Sequence, residues 1–155
     1  MFRHLLVPID LSDRNEQAVR TAFDLAVAKD ARVTLLHVVT QVRGIPAGEL
    51  RSFYDQLEER AKARLGALIR KYAQPGMDVR AVSFVGEPAR DVVRWAERQR
   101  VDLIVMASHS VASRRATRVG WGSISYKVAL LCRCPVLLVK AGPRLVGRSR
   151  PARAA

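Results

Sequence analysis

Short, continuous apolar runs alternate along the chain with longer segments whose apolar residues recur every three or four positions. Four runs are typical of strands: HLLVPID (4–10), which indicates a buried strand, ARVTLLHVV (31–39), VDLIVMA (101–107) and CPVLLVK (134–140). In DVRAVSFV (78–85) the apolar positions alternate instead, which favours a strand at the edge of a sheet. The pattern therefore predicts five strands.

Helical spacing separates these strands. Steps of three and four between apolar residues predict helices over about 13–29, 49–73, 88–98 and 123–131. Asp13 and Glu16 stand three residues apart at the start of the first helix, which predicts a capping box with Asp13 as the N-cap. Pro88 suits the first turn of the third helix, because its missing N–H would have no partner there.

The alternation of strands and helices predicts an α/β fold, an open parallel sheet of five strands with helices on both faces. In such sheets ligands bind beyond the C-terminal ends of the strands, where the winding reverses. The loops at 8–14, 38–48, 85–88 and 107–122 and the residues after 139 lie at that edge. They are the candidate borders of a ligand site.

Length and composition support one folded domain. The chain has 155 residues, of which 49% are hydrophobic, and no apolar run approaches the roughly 20 residues of a membrane span. The N-terminus enters the first strand without the pattern of a signal peptide, so we expect a cytoplasmic protein. We place the domain at 1–140 and expect the Gly-, Pro- and Arg-rich segment 141–155 to be a disordered basic tail.

Charge is distributed unevenly along the chain. The formal net charge is +13, and ten of the 27 Lys and Arg residues but none of the 14 acids follow Asp102. A basic half suggests an anionic partner, such as nucleotide phosphates, nucleic acid or anionic lipid, although a solvated basic surface gives the same pattern. Aromatic residues make up only 6% and no recognition motif is visible, which argues against a nucleic-acid module.

Catalytic and metal-binding patterns are weak. Cys132 and Cys134 form a CxC pair rather than a CxxC, so we expect reduced cysteines with a structural role or none. His4, His37 and His109 are scattered, and His37 lies among apolar residues as a core histidine would. We therefore predict no metal site and no catalytic residues.

The segment ASHSVASRRATRVGWGS (107–123) follows the fourth strand and precedes a helix, which is where α/β proteins commonly hold phosphates. Its hydroxyl groups, imidazole and guanidinium groups supply donors and positive charge for a phosphate chain. The candidate phosphate-binding side chains are Ser108, His109, Ser110, Arg114, Arg115, Arg118 and Ser123.

Four blocks in order resemble the universal stress proteins over about residues 2–140. LLVPIDLSD resembles "ILVPVDGSE", LLHVV resembles the end of the second strand, VGEPARDVVRWAERQRVDLIVMASH resembles "GxPxxxIxxxAxxxxxDLIVMGSH", and GSISYKVALLCRCPVLLVK resembles "GSVSEKVLRHAPCPVLVVK". The resemblance implies a Rossmann-like sheet of order 3-2-1-4-5. It also implies a stress-response role and homodimers paired through Pro135–Val139.

The resemblance further implies nucleotide-site residues. ATP-binding members resemble G-x-x-G, nine residues, then G-[ST]; here Ala107 and Ser110 replace the two glycines, and Gly122-Ser123 follows after two extra residues. Asp10 would bind ribose or polar edges of adenine, Pro8 would shape the pocket, and Val38 would pair its backbone with adenine. From the residues alone, Asp10 fits equally a ribose or metal contact or a hydrogen bond to the start of the first helix.

Four functions follow from these observations. The first is regulatory binding of ATP, with or without Mg²⁺, or of a related adenine nucleotide, with little or no hydrolysis and at most a weak ATPase activity. The second is the same fold with a degenerate, non-binding pocket, acting through protein contacts. The third is an electron-transfer or nucleotide-hydrolysing enzyme on a related doubly wound fold, for which a clear catalytic constellation and an intact Gly-rich loop are missing. The fourth is anion or nucleic-acid binding by the basic C-terminal half, which a steep salt dependence of affinity would reveal.

Overall fold

The computed structural model describes residues 2–28, 30–45, 48–108 and 123–140. The predictions for residues 109–122 and for the tail at 141–155 lie outside the described residues. The strands are β1 His4–Pro8, β2 Arg32–Thr40, β3 Val79–Gly86, β4 Leu103–Ser108 and β5 Val136–Lys140. The helices are α1 Glu16–Val27, α2 Arg51–Tyr72, α3 Pro88–Arg98 and α4 Ile124–Leu131, and a 3-10 turn covers Asp13–Asn15.

All strand pairs are parallel, and the order is β3-β2-β1-β4-β5. The predicted fold class and strand order are therefore confirmed, with β3 at an edge as its alternating pattern indicated. Pro88 begins α3, as the sequence predicted. No helix in the described ranges combines the length and the apolar character needed to cross a bilayer.

Each face of the sheet has its own apolar core because successive side chains of a strand point to opposite faces. On one face Leu5 and Val7 of β1 pack in a cluster with Phe23 of α1 and residues of α2. On the other face Leu6 packs in a cluster with Val128 of α4 and residues of α3. Leu6, Val7 and Val128 are 0% exposed, so β1 is covered on both faces.

The predicted capping box at the start of the first helix is wrong. The 3-10 turn moves the N-cap of α1 to Asn15, which makes no side-chain capping bond. The carboxylate of Asp13 instead accepts a hydrogen bond from Arg64 Nη2 of α2 at 2.7 Å, and Glu16 pairs with Lys71 of the same helix. Cations from a distant helix therefore hold the two carboxylates that the local pattern assigned to capping.

His4 occupies a buried position at the start of β1. Its Nδ1 donates to the backbone carbonyl of Gln99 at 3.2 Å, and its Nε2 accepts from the hydroxyl of Thr34 at 2.9 Å. The ring also meets Trp95 edge-on, with centroids 6.0 Å apart. Burial lowers the pKa of His4 below its ordinary value, although the Gln99 carbonyl opposes that shift. The folded protein therefore favours the neutral imidazole.

Acidification should destabilise the fold through His4. As the pH decreases below the ordinary histidine pKa of about 6.5, His4 becomes protonated in the unfolded chain, whereas in the folded chain it remains neutral to a lower pH. The free energy of unfolding therefore decreases as the pH decreases. Urea unfolding at pH 7.5, 6.5 and 5.5 measures this slope, at pH values above those at which carboxylates titrate. His4→Gln should flatten the slope. An equal slope in wild type and His4→Gln would contradict this role of His4.

Candidate functional site

A cavity of about 440 Å³ lies at the C-terminal ends of β1, β2 and β4, beside the N-terminal ends of α3 and α4. The chain winds outward from β1 to β3 on one side and continues with β4 on the other, so the cavity lies where the winding reverses. Its lining residues are Pro8, Ile9, Asp10, Asn15, Leu36, His37, Val38, Thr40, Pro88, Val92, Met106, Ala107, Ser123, Ile124 and Ser125.

Asp10 presents an ionised carboxylate to this cavity. Its Oδ1 accepts a hydrogen bond from the backbone N–H of Ser12 at 2.8 Å and another from the side-chain amide of Asn15. Asn15 is only 4% exposed and also donates to the carbonyl of Ser12 at 3.0 Å, so its orientation is fixed. Partial burial acts to raise the pKa of Asp10, but the hydrogen bonds from Ser12 and Asn15 outweigh it and lower the pKa.

The turn that follows Asp10 contains a strained residue. Leu11 has a φ of 64°, a left-handed conformation that costs a non-glycine residue roughly 1–2 kcal/mol. Its side chain packs against the core cluster that contains Val7, which offsets part of this cost. The reversal at Leu11 brings the N–H of Ser12 back to the carboxylate of Asp10. The strain therefore supports the geometry of the carboxylate.

The backbone N–H and C=O of Val38 border the cavity. Within the described residues, the hydrogen-bond ladder between the β1 segment and β2 ends with Ile9 N donating to Leu36 O at 2.8 Å. Because backbone groups repeat their direction every two residues, Val38 directs its N–H and C=O to the same side as Leu36. There β1 has already ended at Pro8, so these two groups face the cavity.

The inner wall of the cavity is apolar. Four of its residues come from β2, α3 and β4 and are all more than nine-tenths buried: Leu36, Val38, Val92 and Met106. His37 adds a polar side chain to this wall, and its Nδ1 donates to the carbonyl of Ile9 at 2.7 Å. An apolar wall beside polar backbone groups suits a flat heterocycle that also forms hydrogen bonds.

The N-terminus of α4 forms the opposite side of the cavity. Ser123 is the N-cap of this eight-residue helix, and its hydroxyl accepts from Tyr126 N at 3.2 Å. Ile124 and Ser125, the first two helical residues, also line the cavity. Backbone N–H groups at a helix start, together with the helix dipole, favour a negatively charged group at this position.

Ala107 lies within β4, paired with Val139, and its φ is not positive. Its methyl group is therefore compatible with the backbone at the position where the resembling proteins have glycine. Ser108 ends β4 and pairs with Lys140, but it is not among the residues that line the cavity. The other predicted phosphate-loop residues lie outside the described residues: His109, Ser110, Arg114, Arg115, Arg118 and Gly122.

The structure brings five of the predicted site residues to one cavity: Pro8, Asp10, Val38, Ala107 and Ser123. Sequence reasoning missed Asn15, whose five-residue separation from Asp10 becomes a contact only through the intervening turn. It also placed His37 in the core. That histidine has a hydrogen-bond partner as predicted, but it lines the cavity. The remaining missed residues lie at strand ends and helix starts, which the predicted topology could have indicated.

The profile of the Universal stress protein family matches residues 1–140, and the chain belongs to this family. Universal stress protein YxiE of Bacillus subtilis is 29% identical over 150 residues, which cover 90% of this chain and 100% of the relative. The solved structure of protein MJ0577 from Methanocaldococcus jannaschii is similar with a TM-score of 0.76 at 29% identity, covering 90% of this chain and 96% of that one.

Two further similar structures contain adenine nucleotides. A universal stress protein in complex with cAMP has a TM-score of 0.62 at 21% identity and covers 90% of this chain and 98% of its own. The universal stress protein of Archaeoglobus fulgidus in complex with dAMP has a TM-score of 0.59 at 22% identity, covering 90% and 98%. Because these identities are only 21% and 22%, the two structures are evidence for the fold of this chain alone.

The first turn of α3, which borders the cavity, requires a glycine at position 86, the last residue of β3. A Cβ built on Gly86 would overlap Asp91 Oδ2 and approach Val38 Cγ1 to 3.4 Å. Asp91 Oδ2 accepts the backbone N–H of Glu87, the N-cap of α3, at 2.7 Å. The missing side chain therefore leaves room for the carboxylate that satisfies this backbone N–H.

Gly86→Ala should destabilise the protein by about 1–3 kcal/mol, because the new methyl group displaces the Asp91 carboxylate. Denaturant unfolding measures the change. Asp91→Ala removes the overlapping atoms, so the double variant should lose less stability than the sum of the two single variants. Gly48→Ala is the matched control, since a Cβ there meets nothing within 4 Å. Strict additivity would contradict the proposed overlap.

Proposed function

We propose that this protein is cytoplasmic and that it binds ATP or a related adenine nucleotide, as a regulatory ligand, in the 440 Å³ cavity. One observation carries the proposal: an ionised Asp10, the outward backbone of Val38 and the N-terminus of α4 converge on this one cavity. The complexes of similar proteins with cAMP and dAMP support the ligand class.

Adenine fits the apolar side of the cavity. Its ring would lie against the wall formed by Val92 and Met106, which removes apolar surface from water. The backbone N–H and C=O of Val38 match the acceptor and donor on the edge of adenine that carries the amino group. A guanine ring carries a carbonyl and an N–H in place of that pair, so the same backbone would discriminate against it.

The ribose hydroxyls would donate to Asp10. Its carboxylate is held by Ser12 and Asn15, and its remaining lone pairs are available to a ligand. A low pKa keeps the carboxylate ionised at neutral pH, and hydrogen bonds to a charged acceptor are stronger than neutral ones. These hydrogen bonds orient the nucleotide with its 5′ end toward α4.

The phosphates would extend to the N-terminus of α4 at Ser123. Any Mg²⁺ bound with ATP would be coordinated mainly by the phosphates, because the described residues contain no cluster of three or more His, Cys, Asp or Glu side chains able to hold a metal. Asp10 is a weak base, since its hydrogen bonds lower its pKa. The proposal is therefore one of occupancy, with little or no hydrolysis.

Asp10→Ala should weaken ATP binding about tenfold or more, because it removes charge-assisted hydrogen bonds to the ribose. Isothermal titration of the full-length protein with ATP, AMP, cAMP and GTP measures affinity and base preference. Asp10→Asn keeps an oxygen acceptor for Ser12 N, so its affinity for ATP should lie between those of the wild type and Asp10→Ala. Asp13→Ala is the matched control, because the Asp13 carboxylate is exposed and pairs with Arg64 outside the cavity.

Two results would overturn the nucleotide proposal. One is the absence of any adenine nucleotide both in native mass spectra of the purified protein and in titrations to millimolar ATP. That result would favour the degenerate-pocket alternative. The other is binding that Asp10→Ala leaves unchanged but that falls steeply with salt for any polyanion, which would favour the basic half as the binding surface.

We further propose a homodimer paired through Pro135–Val139. Among the strands that the structure describes, β5 lies at the edge of the sheet and pairs with β4 alone. Its Leu137 and Leu138 are 38% and 42% exposed. On the adjoining α4, Leu130 and Leu131 are 66% and 60% exposed. An edge strand with exposed apolar side chains favours pairing with another strand, and a second copy of the same strand satisfies twofold symmetry.

The direction of each backbone group in β5 gives a sharp test of the dimer. Pro135 O accepts from Ile104 N at 3.0 Å, so odd-numbered residues of β5 face β4 and the N–H of Leu138 faces the free edge. Leu138→Pro should therefore yield monomers while β4–β5 pairing survives, as light scattering after size exclusion would show. Leu138→Ala keeps the N–H and should remain dimeric. A folded, fully dimeric Leu138→Pro variant would contradict pairing through this strand.

A further inference from the structure

The turn between α4 and β5 brings two thiols into contact. Cys132 Sγ and Cys134 Sγ lie 3.1 Å apart, and both cysteines are free and half-buried. The fold fixes both ends of the turn. Cys132 N donates to Val128 O at 2.9 Å at the end of α4, and Pro135 O accepts from Ile104 N at 3.0 Å at the start of β5.

We propose that Cys132 and Cys134 are a reversible redox site, which a small disulfide compound oxidises to an intramolecular disulfide. A disulfide has an S–S length of about 2.05 Å, so the two sulfur atoms need to approach by only about 1 Å. The intervening Arg133 has a side chain that is 92% exposed, so it can move as the turn tightens. The site needs no rearrangement of the sheet.

The surroundings distinguish the roles of the two sulfur atoms. Burial raises the pKa of Cys134 to about 12, and its hydrogen bond with Cys132 acts in the same direction. Burial therefore favours the protonated form of Cys134. Since the thiolate is the reactive form, burial makes Cys134 the slower nucleophile. We therefore assign the attack on an external disulfide to Cys132 and the second step to Cys134.

The exchange balances as follows. The Cys132 thiolate attacks one sulfur of a disulfide RSSR, breaks its S–S bond and forms a mixed disulfide, and the departing RS⁻ takes up a proton to become RSH. Cys134 then loses its proton and attacks Cys132 Sγ, which releases the second RSH. Two electrons and two protons pass from the protein thiols to RSSR, leaving a Cys132–Cys134 disulfide and two RSH.

A second cavity gives small molecules access to this pair. Its volume is about 520 Å³, and both cysteines line it. It also has charges of both signs from Glu97, Arg100 and Asp102, which suits a peptide-like disulfide bearing carboxylate and ammonium groups. Asp102 immediately precedes β4, so this cavity lies at the N-terminal edge of the sheet, opposite the nucleotide cavity. Redox reactivity and nucleotide binding can therefore succeed or fail separately.

The test uses the reduced full-length protein and oxidised glutathione. We expect the intact mass to fall by two hydrogens, both thiols to become unreactive to a thiol reagent, and dithiothreitol to restore them. Cys134→Ser should accumulate a glutathione adduct on Cys132. Cys132→Ser should react more slowly, on the order of tenfold, because Cys134 retains its proton.

Three outcomes would overturn the redox proposal. The wild-type thiols could remain unreacted at every ratio of oxidised to reduced glutathione. The protein could carry stable glutathione adducts without closing to the internal disulfide, or it could form only disulfides between chains. Faster reaction of Cys132→Ser than of Cys134→Ser would reverse the assigned order of the two sulfur atoms.

Discussion

β1 pairs along its whole length with β2 and, through Leu5 and Leu6, with β4, and this double pairing determines where the other parts of the structure lie. Because both faces of β1 are covered, a shift of one residue would exchange its two sets of core side chains. The register also decides where the β1 ladder ends. Asp10 follows that end, and Val38 of β2 extends past it. The cavity is thus a direct consequence of one strand being shorter than its neighbour.

The C-terminal and N-terminal ends of the strands carry different functional groups, and α4 runs from one end of the sheet to the other. Its N-terminus at Ser123 borders a cavity suited to an anion, and its C-terminal end at Cys132 carries a thiol pair. Val128 is the buried residue that anchors this helix, while Leu130 and Leu131 are exposed apolar residues just before β5 in the chain. One short helix therefore takes part in all three proposed interactions: with nucleotide, with a second copy and with small disulfides.

Features set by periodicity could be predicted from the sequence, whereas features set by distant partners could not. Continuous apolar runs predicted the strands, and strand ends placed Asp10 and Val38 correctly beside one cavity. The capping box failed because Arg64 and Lys71, 51 and 55 residues away from their partners, hold its carboxylates. His37 was assigned to the core by its apolar neighbours in the sequence, but its hydrogen-bond partner, the carbonyl of Ile9, lies 28 residues away just after β1, and His37 lines the cavity.

The position of β1 also constrains the order in which the chain can fold. β1, β2 and β3 pair in chain order, so three of the five strands of the sheet can form early. The other side of β1 must wait for β4, since the bond from His4 N to Asp102 joins residues 98 positions apart. Closing so long a loop is entropically costly and slows folding. Until β4 pairs with it, β1, whose residues are all buried in the folded protein, has an exposed edge. The newly made chain is most prone to aggregate at that stage.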